Sequence, residues 1–309
     1  MDRYLPTGNE MVSLPKLNEL TAGIEDLTYL TMQYKGLIEL RGSQDLPLIQ
    51  PFVSVGGLDL PLTDLNWERQ HYWIPHLQAK AGNHDFTMTI LPPVGERGFA
   101  MKLTLTAAED TDITLGLKGC WESSWHCINM DKKLEGNTYC FPSGWNKSII
   151  FEFRCGAPVF AFTPSCDKTF TPEFEKRSDA INYRLSRAES LRKGETCEVV
   201  FTWGIGYEEV AAATSANEML RRGWDWEYSK TAAWLDARSY QMATPKLTEL
   251  YNTNLFFCLF FSTGITVDTE ELVCATSRGT RYYVSAGIWA SPPVTSPAPV
   301  WSPASSWTN

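Results

Sequence analysis

The stretch FAMKLTLTAAEDTDITLGLKG, residues 99–119, decides the fold class of this chain. Apolar and polar residues alternate from Met101 to Thr106, which is typical of a strand with one face in a core and the other in water. The turn-forming run AEDTD follows, and DITLGLKG then has the composition of a second strand. The stretch therefore predicts two strands of the kind that build antiparallel sheets.

Strand-like runs and turn formers continue to alternate from about residue 35 to residue 206. The runs are short and rich in β-branched and aromatic residues. Besides the two above they are GLIELRG, PFVSV, FTMTILPP, KSIIFEF, PVFAFT, AINYRLS and CEVVFTWGIG. At least nine strands at this spacing predict a large antiparallel β-sandwich.

The pattern becomes helical after Gly206. Residues from about 208 to 222 are rich in Ala, Glu, Leu and Arg, with apolar residues at helical spacing. Gly223 interrupts this pattern, and a second helical piece runs to about residue 238. The pair predicts a helical connector that packs against the sandwich.

A third helix is predicted from Pro245 to Phe261. Thr244 suits the N-cap position, and proline suits the first helical turn. From Leu255 onward the helix is apolar nearly all round, which is typical of a helix that is buried on several sides. We therefore expect a second, α-rich domain to begin here.

The apolar end of this third helix is expected to have too few neighbours within the chain. The side chains concerned are Leu255, Phe256, Phe257, Leu259, Phe260 and Phe261. An uncovered apolar surface of this kind should drive aggregation, dimerisation or collapse onto the sandwich. Self-association through residues 245–261 is therefore expected as one outcome.

These patterns divide the chain into five parts. They are an N-terminal extension (1–34), the β-sandwich (35–206), the helical connector (207–243), the first part of a helical domain (244–290) and an irregular Ser/Pro-rich tail (291–309).

Composition excludes several classes of partner. The formal net charge is −9 over 309 residues and no long basic run occurs, so nucleic acid is not expected as a partner. The longest apolar run, Leu255–Phe261, is too short to span a bilayer, so no membrane association is expected. The eight cysteines form no C-x-x-C pair, and no Cys/His cluster has zinc spacing, so no metal is expected. The run GIGYEE lacks the third glycine and the strand-helix context of a nucleotide fingerprint, so no cofactor is expected.

The N-terminal residues and the tryptophan content bear on the cellular compartment and on sugar binding. The first twenty residues contain no apolar signal region, so the cysteines should be reduced thiols and the protein cytoplasmic. The chain has 12 Trp residues, whose rings either stack on sugar faces or fill a large sandwich core.

Residues 250–289 carry a resemblance to a known family. They read LYNTNLFFCLFFSTGITVDTEELVCATSRGTRYYVSAGIW and follow a sandwich and a helical connector. This order resembles the six-hairpin glycoside hydrolases of the glucoamylase type. In that family an N-terminal supersandwich precedes an α/α barrel of six helical hairpins. The resemblance implies a mainly β N-terminal antiparallel supersandwich, an α-helical linker and the start of such a barrel.

The same resemblance implies where sugar would bind. The segment after the third helix corresponds to the family's loop that enters the sugar pocket, and its candidate substrate-binding residues here are Arg278, Arg281, Tyr282, Tyr283 and Trp289. A guanidinium can hold a hydroxyl group, and Tyr and Trp offer a stacking face with a polar edge. The two tyrosines could equally wedge the loop between domains.

The end of the sequence departs from the family pattern. The family places an Arg-Asp pair after the loop tryptophan, whereas Trp289 is followed by Ala290 and Ser291. Residues 282–309 carry no charge, and five prolines lie between Pro292 and Pro303. We interpret the chain as a truncated or frame-shifted part of a longer enzyme.

Glycoside hydrolysis needs two carboxyl groups on either side of one bond, and the sequence does not identify them. Asp268, Glu270 and Glu271 are interpreted as helix-capping residues at the start of a short helical turn. Asp225 and Glu227 are interpreted as surface charges of the connector. Glu122 is interpreted as a structural residue in a loop-like patch.

The resemblance therefore implies the N-terminal portion of a glycoside hydrolase that acts on α-linked gluco- or manno-type oligosaccharides. The family's acid and base positions lie beyond the matching segment, so this chain is expected to be inactive. The alternative is a non-catalytic carbohydrate-binding or assembly module.

Overall fold

The structure is a computed structural model that describes residues 3–32, 36–127, 131–144, 148–155, 159–177 and 180–274. The first eleven strands are β1 (Thr7–Gly8), β2 (Val12–Leu14), β3 (Asp26–Thr31), β4 (Gly36–Arg41), β5 (Gln50–Val55), β6 (Leu58–Leu60), β7 (Leu62–Gln70), β8 (Ile74–Ala81), β9 (His84–Leu91), β10 (Gly98–Thr106) and β11 (Thr111–Trp121). The next eight are β12 (Ser123–Cys127), β13 (Asp131–Lys133), β14 (Asn137–Pro142), β15 (Ile149–Arg154), β16 (Val159–Cys166), β17 (Thr171–Arg177), β18 (Ala180–Leu191) and β19 (Thr196–Gly206). They are followed by α1 (Glu209–Arg222), α2 (Trp224–Asp236), α3 (Pro245–Ser262), β20 (Thr263–Ile265) and β21 (Leu272–Cys274).

The strands of the described ranges form three antiparallel sheets and a terminal hairpin. The N-terminal sheet has the order β1-β2-β3-β4-β12-β13. The large sheet has the order β14-β15-β16-β19-β10-β9-β8-β7, and the third sheet has the order β17-β18-β11-β5-β6. Strands β20 and β21 pair with each other. The mainly β, antiparallel fold predicted from the sequence is confirmed.

The alternation in residues 101–106 corresponds, as predicted, to a strand with one buried face and one half-exposed face. Met101, Leu103 and Leu105 are buried in the core, whereas Lys102, Thr104 and Thr106 are half-exposed. Strand β10 pairs with β19 on one side and with β9 on the other, so it lies inside the large sheet.

The main core lies where the large sheet faces the other two sheets. Phe151 of β15 packs on Tyr183 of β18, with ring centroids 4.9 Å apart. Tyr29 of β3 packs on Phe160 of β16 at 6.0 Å. Trp203 stacks on Phe162 at 4.4 Å and is fully buried. At least these aromatic side chains therefore fill the sandwich instead of offering a face for sugar.

Strands β1–β3 were not indicated by the sequence pattern. They lie in residues 7–31, where the sequence suggested only an extension, and β3 pairs along its whole length with β4. Leu27 and Tyr29 contribute to the main core. The division of the chain into domains stays a prediction.

Helices α1 and α2 occupy the predicted connector, and Gly223 separates them with a φ of 87°. Helix α1 packs closely on the large sheet through Ala212, Ala213 and Ala216, which are fully buried. A Cβ at Gly204 of β19 would lie 2.0 Å from the carbonyl oxygen of Ala212, so a glycine is needed for this approach.

Helix α3 begins as predicted. The Thr244 hydroxyl accepts a hydrogen bond from the Leu247 amide at 3.3 Å, and Pro245 occupies the first turn. No helix in the described part of the chain is long and apolar enough to cross a bilayer.

The expectation that the apolar end of α3 lacks neighbours is wrong. Phe256, Phe260 and Phe261 are at most 2% exposed. They pack with Trp73, Ile74 and Leu91 of the sandwich and with Leu235 of α2 in a second apolar cluster. Of the three expected outcomes the structure shows collapse onto the sandwich, because strand β8 and the turn before it offer an apolar surface. Only Phe257, which is 37% exposed, stays partly open.

Candidate functional site

The predicted sugar-binding residues all lie outside the described residues. Arg278, Arg281, Tyr282, Tyr283 and Trp289 follow the last described residue, Cys274. What the structure does describe is the hairpin that leads to them, β20 and β21, directly after α3. The assignment of these five residues to substrate binding therefore stays a prediction.

Asp268 fixes the β20–β21 hairpin to the N-terminal sheet. Its Oδ1 accepts a hydrogen bond from the Met32 amide, and its Oδ2 accepts one from the Thr31 hydroxyl, both at 3.0 Å. Tyr207, at the end of β19, donates in turn to the Thr31 hydroxyl. The interpretation of Asp268 as a helix cap is therefore wrong, since its carboxylate binds a strand that is more than 200 residues away in sequence.

Backbone contacts join the hairpin to the same region. The Ile265 amide donates to the carbonyl of Glu10 at 2.6 Å, and the Val267 amide donates to the carbonyl of Leu30 at 3.0 Å. Thr266 forms a parallel bridge with Leu30. The β20–β21 hairpin thus lies beside β3 and the loop that contains Glu10.

The neighbouring glutamates are not arranged as a catalytic pair. Glu270 forms an ion pair with Arg97 of the loop before β10, and its side chain is 62% exposed. Glu271 is also exposed, and its amide, not its carboxylate, bonds the Thr266 hydroxyl at 3.0 Å. Both side chains are therefore open to solvent and are not enclosed in a cleft.

A buried carboxylate pair that the sequence did not indicate lies on the N-terminal sheet. Asp26 and Glu39 are 4% and 3% exposed and share a side-chain hydrogen bond. Burial raises the pKa of Asp26 to about 7, with the charge of Glu39 adding to the effect and Lys16 opposing it. Burial would also raise the pKa of Glu39, but hydrogen bonds from Arg41 and Asp26 hold it below its usual value.

This pair holds one proton between two carboxylates at slightly acidic pH. A direct hydrogen bond places the groups closer than the roughly 5–9.5 Å that separates the carboxyl groups of glycosidases. Asp26 also forms an ion pair with Lys16. The arrangement is therefore not that of a glycosidase acid and base. The alternation in LIELR places Glu39 and Arg41 on one face, but only the pairing of β3 with β4 brings Asp26 beside them.

The helical connector also contains a buried acid. Glu227 is 1% exposed, and its Oε1 accepts a hydrogen bond from Arg222 Nε at 2.6 Å. Its interpretation as a surface charge is therefore wrong, whereas Asp225 and Glu122 are exposed. Burial raises the pKa of Glu227, and the charge of Glu96 adds to the effect while Arg222 opposes it.

The histidines and cysteines of the described ranges form no cluster that could hold a metal ion. His71 Nδ1 lies 2.7 Å from Asp236 Oδ1, and His76 Nδ1 lies 2.8 Å from the Thr89 hydroxyl. His84 Nδ1 accepts a hydrogen bond from the Ala108 amide at 3.1 Å. Burial raises the pKa of the Cys140 and Cys166 thiols to about 12, so both are protonated thiols at neutral pH.

Comparison with known proteins gives matches in structure only. No protein-family model matches the chain, and no curated protein matches it in sequence. A protein assigned as a kojibiose phosphorylase from the human microbiome aligns over 82% of this chain and 38% of its own, with 10% identity and a TM-score of 0.57. A bacterial glucoamylase solved with acarbose aligns over 83% of this chain and 41% of its own, with 12% identity and a TM-score of 0.50.

A third similar structure is a family GH92 α-mannosidase from Bacteroides thetaiotaomicron. It aligns over 86% of this chain and 37% of its own, with 13% identity and a TM-score of 0.45. The chain thus spans about two fifths of the length of these solved proteins. At these identities the likeness shows the fold alone. In its fold, the chain resembles the N-terminal sandwich of glycoside hydrolases and phosphorylases, followed by the start of a helical region.

Proposed function

We propose that this chain is the N-terminal part of a glycoside hydrolase, or of a related glycoside phosphorylase, that acts on α-linked gluco- or manno-type oligosaccharides in carbohydrate metabolism. The observation that carries the proposal is the shared fold, since a kojibiose phosphorylase and a glucoamylase align over more than four fifths of this chain. The cytoplasmic location inferred from the sequence belongs to the same proposal.

The exposed side of α3 supports a larger protein. Leu247 and Leu250 are 50% and 58% exposed, and they line an apolar groove of about 540 Å³ with Leu255 and Cys258. An isolated module rarely exposes a continuous apolar groove of this kind. Further helices packed against this side would cover the groove.

Substrate binding is assigned to the segment after the β20–β21 hairpin. Arg278 and Arg281 would donate hydrogen bonds to sugar hydroxyls, and Tyr282, Tyr283 and Trp289 would contact the apolar sugar faces. The catalytic carboxyl groups of the parent enzyme would come from the helical domain. This 309-residue chain is therefore expected to bind sugar without cleaving it.

The coding DNA tests this proposal directly. Reading the DNA across the codon for Trp289 in all three frames should reveal an open frame that encodes further helical hairpins. Expression of that longer product should give cleavage of kojibiose, maltose or an α-mannobiose, either by water or by inorganic phosphate. Stop codons in every frame, or cleavage by the 309-residue chain itself, would overturn the proposal.

The second candidate is a non-catalytic carbohydrate-binding or assembly module. It is favoured by the burial of Phe256 and Phe260 against the sandwich, which lets α3 fold without further helices. Binding and cleavage measured on the same preparation separate the candidates. A module of this kind would bind glycans, and its gene would encode no product longer than this chain.

A further inference from the structure

A cavity of about 340 Å³ lies where α1 meets α2, on the outer face of the large sheet. The turn at Gly223 forms one side, and the outward-facing residues of β10 and β19, such as Ala100 and Thr202, form the floor. This volume is within the range of sites for small molecules. The cavity is far in sequence from the segment assigned to substrate binding.

Two tryptophans, Trp224 and Trp226, line the cavity. Trp226 is 49% exposed, which is unusual for so large an apolar side chain. The Arg222 guanidinium and the Lys230 ammonium lie 5.3 and 5.0 Å from its ring centroid, and both cations also bind Glu96. Trp226 thus lies beside two cations that Glu96 holds, while about half of its side chain stays exposed.

Trp224 forms a second aromatic wall. It stacks on Tyr228 at 6.1 Å with 26° between the ring planes, and Lys102 Nζ lies 5.7 Å from its ring centroid. These contacts hold the indole rigidly, which lowers the entropy lost when a ligand packs against it. The cavity thus combines one fixed and one exposed indole.

Polar groups of both kinds line the same cavity. Asp225 lines the cavity and is exposed. Asp167 lines it too, and its Oδ1 accepts a hydrogen bond from the Val200 amide at 3.0 Å. Glu198 is paired with Lys102 at 2.7 Å. Carboxylates accept hydrogen bonds from hydroxyl groups, and Arg222 supplies donors.

Glu227 provides the independent indication of a ligand. It lines the cavity and is 1% exposed, yet its Oε2 has no hydrogen-bond partner. A buried carboxylate oxygen without a partner has lost its hydration and gained no hydrogen bond in return, which costs free energy. A hydroxyl group of a bound molecule would remove that cost.

We infer that this cavity, defined by Trp224, Trp226, Asp225 and Glu227, is a binding site for one or two units of a neutral saccharide. The apolar face of a sugar ring packs on the exposed part of the Trp226 indole, and its hydroxyls donate to Asp225 and to Glu227 Oε2. The choice of a saccharide as ligand rests on the proposed function. The site holds a glycan on the sandwich, apart from the segment assigned to the sugar that is cleaved.

Two of the four acids at the cavity are paired with cations, Glu227 with Arg222 and Glu198 with Lys102, whereas Asp167 and Asp225 form no ion pair among the described residues. The described acids here also form no group that could hold a metal ion. The hydroxyls of a neutral saccharide can donate to the unpaired acids, and an amine such as n-butylamine is the competing ligand.

The test is calorimetric titration of the 309-residue chain with maltose, kojibiose and an α-mannobiose. Trp226→Ala should weaken binding at this site by about fivefold, which corresponds to about 1 kcal/mol, the size of one aromatic contact. Trp226→Phe keeps a ring and should bind within about threefold of the unchanged protein. Phe174→Ala, which removes a 43% exposed aromatic residue on β17, is the matched control and should have no effect.

The outcomes separate this inference from the proposed function. If Trp226→Ala and Asp225→Asn bind as tightly as the unchanged chain while Trp289→Ala does not, the site is wrong and the proposed function stands. If none of the sugars binds, or if n-butylamine binds at Trp226 instead, this inference is overturned whatever the coding DNA shows. Circular dichroism of each variant confirms that the fold is intact.

Discussion

The ring of Phe260 in α3 stacks on the indole of Trp73, with centroids 5.5 Å apart and 30° between the planes. Trp73 lies in the turn before β8, and its Nε1 donates to the carbonyl of Gly8 at 2.6 Å. This stack therefore ties the first strand, the large sheet and the third helix together. Phe256 and Phe261 contact the same indole at 6.4 and 6.2 Å.

Truncation of Phe260 should separate α3 from the sandwich. Phe260→Ala removes a side chain that is 2% exposed, and such a substitution costs about 3–5 kcal/mol. Urea denaturation followed by circular dichroism should show a lower midpoint. Phe257→Ala, one turn away and 37% exposed, is the matched control and should cost less than half as much. Equal losses for both variants would show that α3 is not held by the Trp73 cluster.

The strand and helix positions could be predicted where one face of an element meets solvent. Alternation revealed β10, and the N-cap chemistry of Thr244 and Pro245 revealed α3. Strands β1 and β2 are only two and three residues long, and β3 is buried on both faces, with polar Asp26 and Thr28 among its buried residues. A pattern of buried and exposed residues can form only where an exposed face exists.

The site residues were harder to predict because they depend on pairing between distant segments. Asp26 meets Glu39 only through the register of β3 and β4, and Asp268 meets Thr31 only through a fold that joins the two ends of the described chain. The chain turns at Gly223 between α1 and α2, and this turn places Glu227 of α2 beside Arg222 of α1. Helical spacing in the sequence could not distinguish Glu227 from exposed Asp225.

Loss of the Asp268 carboxylate should release the β20–β21 hairpin. Asp268→Ala leaves the Met32 amide and the Thr31 hydroxyl without this acceptor, at a cost of about 1–3 kcal/mol. Hydrogen exchange of the Met32 amide should become faster than in the unchanged chain. Glu271→Ala changes an exposed carboxylate of the same hairpin and should leave that exchange rate unchanged. Identical exchange in both variants would contradict the anchoring role.

The predicted self-association, if it uses α3, must use its exposed leucines and not its buried phenylalanines. Leu250 is 58% exposed on the rim of the apolar groove. Sedimentation velocity should show dimers that form as concentration rises, and Leu250→Glu should weaken them by about tenfold or more because a charge must then be buried. Leu58→Glu alters a leucine that is 75% exposed on β6 and is the control. A monomer at every concentration of the unchanged chain would end this prediction.

The Asp26–Glu39 pair should make stability depend on pH. Burial is the main cause that raises the pKa of Asp26 to about 7 in the folded chain. The pKa of an aspartate in an unfolded chain is about 3.9. Between these two values the folded chain keeps a proton that the unfolded chain has released. The free energy of unfolding contributed by Asp26 therefore falls as pH rises from about 4 to about 7.

Asp26→Asn should remove this dependence. An asparagine amide can donate a hydrogen bond to Glu39, as the protonated carboxyl group does, but it cannot ionise. The variant should therefore gain stability relative to the unchanged chain as pH rises through that window. Urea midpoints measured across it at fixed ionic strength give the comparison. Glu175→Gln on β17 changes an acid that is 61% exposed and should follow the unchanged chain at every pH. If Asp26→Asn also runs parallel to the unchanged chain, Asp26 is ionised in the folded protein, and the shared proton does not exist.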